Sequence, residues 1–85
     1  MPKMPNFVSQ LEEQLTPYVN GTQTRFSKRG VPHLIVWVKD EVYSLCFFGS
    51  SKIWRLFHPY PSYGGSQTRK DFLTMEGVVN YFKTL

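Results

Sequence analysis

The sequence has a single cysteine, Cys46, and only two histidines, His33 and His58, in 85 residues. One cysteine cannot close an internal disulfide, so the expected setting is reducing and cytoplasmic, with Cys46 acting as a small core hydrophobe. One Cys and two His also lack the spacing of any zinc site, and no metal or other cofactor is expected. No apolar run approaches the roughly 20 residues that cross a bilayer, and the opening MPKMPNFVSQ has no apolar core suited to a signal peptide. No membrane association is expected, and the Asn20-Gly21-Thr22 sequon reads instead as an Asn-Gly turn. A Gly-rich phosphate loop, a nucleophile elbow and a dense carboxylate cluster are all missing. The two histidines fall at the start of one strand and the end of another, which a short-turned meander holds at opposite ends. The chain is therefore expected not to be an enzyme.

Acidic residues are also scarce: six Asp and Glu face ten Lys and Arg, for a net charge of +4 and a pI near 9.4. That balance favours polyanionic partners. The length allows one small domain, residues 1–85, with a modest core to which the 16% aromatic content contributes strongly.

What is present centres on residues 31–58, VPHLIVWVKDEVYSLCFFGSSKIWRLFH. Three runs of β-branched and aromatic residues, His33–Val38, Val42–Phe48 and Lys52–His58, are separated by Lys39-Asp40-Glu41 and Gly49-Ser50-Ser51. This predicts an antiparallel meander. Thr22–Ser27 is a candidate fourth strand at the edge. Before the sheet, Phe7, Leu11, Leu15 and Tyr18 share one helical face after a cap at Asn6, and Pro17 ends the regular part near Thr16. After it, residues 59–71 read as a long loop. A closing helix then follows, with Thr74 as cap, Met75, Val78, Val79 and Phe82 on one face, and Leu73 as a hydrophobic staple to Val78. Residues 1–5 read as a flexible arm. The expected fold is α+β: helix, three- or four-stranded antiparallel meander, helix.

Side-chain parity sets Leu34, Val36 and Val38 against His33, Ile35 and Trp37 in the first strand. It sets Tyr43, Leu45 and Phe47 against Val42, Ser44, Cys46 and Phe48 in the second. In the third, Trp54 and Leu56 oppose Ile53, Arg55 and Phe57. Neither face is cleanly polar, so two arrangements stand. One helix covers each face, or both cover one face and the other presents Trp37, Phe48, Arg55 and Phe57 to a partner.

The cations are unevenly spread. Arg25, Lys28, Arg29, Lys52, Arg55, Arg69 and Lys70 lie in the middle and late regions, whereas the leading helix has Glu12 and Glu13 and no cation. Phe26, Trp54, Phe57, Tyr60 and Tyr63 are interleaved with them, rings of the kind that stack on unpaired bases. The order helix, strands, helix resembles the topology of double-stranded RNA-binding domains, and Gly30-Val31-Pro32-His33 resembles the Gly-Pro-x-His turn of that family. The resemblance departs at the last helix. The family has a lysine-rich cluster there, and this chain has Leu73-Thr74-Met75-Glu76, so that the phosphate grip is either missing or moved to Arg69-Lys70.

Two functional expectations follow. The first is a DNA- or RNA-binding protein that grips phosphate with those seven cations and stacks bases on Trp54, Phe57 or Tyr60. The second is a protein-interaction module or homodimer, an adaptor, inhibitor or assembly subunit, using an exposed aromatic sheet face or an edge strand.

Overall fold

The computed structural model describes residues 4–60 and 67–85. Helix α1 (Asn6–Leu15) and a single 3-10 turn (Thr16–Tyr18) lead into five strands, β1 (Gly21–Phe26), β2 (Pro32–Val38), β3 (Glu41–Phe48), β4 (Ile53–His58) and β5 (Thr68–Phe72). Helix α2 (Met75–Lys83) follows. The strands form one antiparallel sheet in chain order, so the fold is α+β as expected, with five strands in place of three or four. Thr22–Ser27 does supply an edge strand, shifted by one residue. The fifth strand lies in the stretch read as loop. Its sequence, TRKDF, is exposed at every position but the last, and an edge strand with one open face needs no apolar alternation. The two added strands also depart from the helix, three strands, helix order on which the double-stranded RNA-binding resemblance rests.

Both helices cover the same side of the sheet. Val8, Leu11 and Leu15 of α1, and Val78, Val79 and Phe82 of α2, pack with Leu34, Val36, Val38, Tyr43, Leu45, Trp54 and Leu56 in one core. Each such aliphatic side chain removed from water is worth about 1.5–3 kcal/mol. Ring contacts tie the layers together at two points. Phe7 of α1 lies 4.6 Å from Phe47 and 5.7 Å from Trp54, and Phe82 of α2 meets Tyr43 edge-on at 5.3 Å.

Local chemistry fixes the ends. The Thr74 hydroxyl oxygen accepts the Gly77 N–H at 3.0 Å, capping α2 as its sequence predicts. A side chain at Gly77 would put Cβ 3.3 Å from that hydroxyl and 3.6 Å from the Phe72 ring, so glycine keeps both the cap and the approach to β5. Leu73 is 82% exposed and staples nothing. At the other helix Pro5, not Asn6, is the cap residue, and Asn6 is already helical. Met4, read as part of the flexible arm, packs against the core. Thr22 Oγ1 donates to Glu12 Oε2 at 2.7 Å, fastening β1 to α1.

Candidate nucleic-acid interface

The register shows what the uncovered side of the sheet presents. Arg25, His33, Cys46, Arg55 and Asp71 form one row across the five strands, and Gln23, Ile35, Ser44, Phe57 and Arg69 form the next. Trp37 pairs with Gly21 on one side and Val42 on the other, and Phe48 pairs with Ile53. Small side chains hold the middle, with Ser44 and Cys46 only 1% and 4% exposed, while Trp37, Phe48 and Phe57 around them stay half-buried. Of the two helix placements that parity left open, both helices cover one face and the other is left without a helix.

The β1–β2 turn is built by Ser27. Its Oγ accepts the N–H groups of Arg29 at 3.2 Å and Val31 at 3.1 Å, and its carbonyl accepts the Gly30 N–H at 2.9 Å. Gly30 takes φ +81°, a conformation glycine adopts without a Cβ penalty. Lys28 and Arg29 are thereby exposed at one end of the sheet. The β3–β4 turn reaches the same end and exposes Lys52, two strands away, at roughly 10 Å by ordinary strand spacing.

The remaining residues singled out from the sequence divide. Arg25 and Arg69 are exposed on the uncovered face, and Arg25 Nη2 donates to Gln23 Oε1 at 3.1 Å. Arg55 is on that face too but is already engaged. Its Nε donates to Asp71 Oδ1 at 2.8 Å and its Nη2 to Asp71 Oδ2 at 3.2 Å, and its guanidinium lies 5.0 Å over the Phe48 ring. That hydrogen-bonded pair holds the Asp71 carboxyl below its ordinary range and the Arg55 pKa above its own. Among the described residues Arg25, Lys28, Arg29, Lys52 and Arg69 have no carboxylate at ion-pair distance.

Three residues do not join this surface as expected. Trp54 is 4% exposed on the helix side, against Phe7 and Phe47, so its ring has no face to offer a base; alternation along β4 puts it opposite Arg55 and Phe57. Lys70 is on the helix side as well, its ammonium 5.8 Å over Phe72 and 5.4 Å over Tyr81. Tyr60 sits at the far end of β4, where its N–H donates to the Val42 carbonyl at 3.0 Å. Tyr63 lies outside the described residues.

The sequence reading also missed a cluster. The Cys46 thiol is 3.2 Å from His33 Nδ1, and the same nitrogen is 3.4 Å from Ser44 Oγ. The signal was available, because a two-residue turn at Lys39-Asp40 sets His33 opposite Cys46 once the register is counted back along the hairpin. Burial lowers the His33 pKa and raises that of Cys46. Both shifts oppose the thiolate–imidazolium pair that a catalytic Cys–His dyad uses. His33 and His58 lie at opposite ends of the sheet, and His58 is stacked on Tyr43 at 4.3 Å with its Nε2 2.8 Å from Glu41.

Among the described residues no group of three or more His, Cys, Asp or Glu is placed to hold a metal ion, and no helix is long and apolar enough to cross a membrane. No protein-family model, curated protein or solved structure matches the chain. The double-stranded RNA-binding resemblance gains nothing from them.

Proposed function

We propose that the chain is a nucleic-acid-binding protein whose contact surface is the uncovered sheet face and the basic end of the sheet beside it. The observation that carries the reading is the convergence of Arg25, Lys28, Arg29 and Lys52, scattered over 28 positions of sequence, at one end of the sheet, none with a carboxylate partner among the described residues. Unpaired cations on a fixed turn are what phosphate contact requires, since each phosphate neutralised releases counterions. Phe48 lies at that end, paired with Ile53, and Phe57 and Trp37 continue the uncovered face one and two side-chain rows from Arg25, all three half-buried with ring area left over for contact.

Changing Lys28→Ala together with Arg29→Ala tests this. Affinity for any oligonucleotide sequence falls, and the slope of log K against log salt becomes shallower by roughly 1–2, the release expected for two phosphate contacts. An unchanged slope removes the turn from the interface.

The second reading, a protein interface or homodimer, is favoured by one feature. Trp37, Val42, Phe48, Ile53 and Phe57 put apolar area on a face that no helix covers. It predicts association that depends on protein concentration and resists salt, measured by sedimentation at two ionic strengths.

A further inference from the structure

The two helices, the uncovered face and the spread of its cations differ in what form of nucleic acid they suit. Duplex readers insert a helix or a two-stranded ribbon into a groove, or match phosphates across one. Here both helices lie on the far side of the sheet, and α1 has Glu12 and Glu13 and no cation. The uncovered face has its rings in the middle and its free cations at the margins. Arg25 is on β1 and Arg69 on β5, the two edge strands, while Trp37 and Phe57 lie between them on β2 and β4. A duplex laid there would press phosphates onto indole and phenyl surface, which desolvates charge against apolar rings. Unpaired bases are the complementary partner, since every base has a flat face that stacks on such rings.

Trp37 and Phe57 are two strands and one side-chain repeat apart, roughly 12 Å in the plane of the sheet. The Trp37 ring rests over Gly21, where a Cβ would lie 3.8 Å from its Cε3. Arg69 is the direct cross-strand neighbour of Phe57. Ser44, between the two rings, is buried and unavailable to read base edges, so sequence preference is weak.

We propose that the uncovered face binds single-stranded nucleic acid, with unpaired bases stacked on Trp37 and Phe57 and the adjoining phosphates held by Arg25 and Arg69. This rests on the nucleic-acid-binding reading above and specifies its ligand.

The test is a set of titrations of the full chain with three labelled probes of equal length at one salt concentration: oligo-dT, an abasic strand with the same number of phosphates, and a blunt duplex. Tryptophan emission is followed in the native protein and in Trp37→Phe, where only the buried Trp54 reports. The expected result is that oligo-dT binds roughly 5- to 100-fold tighter than the abasic strand, in line with ring stacking, and tighter than the duplex. It quenches emission in the native protein and not in Trp37→Phe. Phe57→Ala weakens oligo-dT and leaves the abasic strand unchanged. Equal affinity for oligo-dT and the abasic strand, or a preference for duplex, overturns the single-strand inference while nucleic-acid binding stands. Absence of binding to all three probes overturns the nucleic-acid reading and this inference with it.

Discussion

On the helix side of the sheet Leu34, Val36, Leu45 and Leu56 are at most 1% exposed beneath α1 and α2. On the other side Ile35, Ser44 and Cys46 reach 2%, 1% and 4% with no helix above them. The second kind of burial comes from neighbours within the sheet: His33 contacts both Cys46 and Ser44, and Arg55 and Phe57 stand as their cross-strand partners. Large side chains shelter small ones and keep their own outer surfaces. One face is thus filled by docking a second layer, and the other is closed at its centre and open at its rim. A contact surface needs that second arrangement, because rings that were wholly buried would have nothing left to offer.

The hardest test of this contrast is truncation on both sides. Leu45→Ala costs about 2–5 kcal/mol, comparable to the whole stability of a small domain, and shows as an unfolded or poorly cooperative protein in urea. Trp37→Ala on the open side costs about 1 kcal/mol or less by the same measurement. A Trp37→Ala protein as unstable as Leu45→Ala would make the two faces equivalent and the open one a core.

A smaller effect is confined to the helix layer. Thr74→Ala removes the hydroxyl that caps α2 and costs about 1 kcal/mol, read as a Tm lower by roughly 4–8 °C. Oligonucleotide affinity at a temperature where the variant is folded stays at the native value.

Smaller still is Lys52→Gly. Lys52 holds φ +54°, in the left-handed region where a Cβ is unfavourable, so glycine raises stability by up to about 1 kcal/mol while removing one cation from the basic end. The urea midpoint rises as the salt slope of binding falls, which separates folding from contact in a single variant.

The pH dependence is the slightest effect and sharpens the open face alone. Burial depresses the His33 pKa below 6.5, so the folded state resists protonation. Its contribution to stability is complete above pH 6.5 and declines as pH falls below that value toward the lower folded pKa. Asp71, held low by Arg55, acts further down, its contribution present above the unfolded carboxyl value of 3.8 and lost as pH falls through the folded one. Urea midpoints between pH 7 and pH 5 decrease in the native protein and stay level in His33→Gln.

The central strands were legible because β-branched and aromatic residues sit between turn-forming pairs, and parity sorted them onto the correct faces. The Thr74 cap was legible as well, from one hydroxyl residue ahead of an apolar repeat. β5 was not, since Thr68–Phe72 draws its pairing from the β4 edge rather than from its own composition. Trp54 was read beside the cations next to it in sequence, yet alternation turns it to the face opposite Arg55. Leu73 was read as a staple from spacing alone, and the chain entering α2 from β5 leaves it in solvent.

By itself the sequence determined the α+β class, the three central strands, the excess of cations and the identity of the residues on each side of each strand, because these follow from local propensity and a two-residue period. Only the tertiary structure decided that both helices share one side, that Arg25, Lys28, Arg29 and Lys52 converge, and that Arg55 is taken by Asp71. Those are contacts between residues distant in the chain, set by register and by where the helices dock, and no local pattern encodes them.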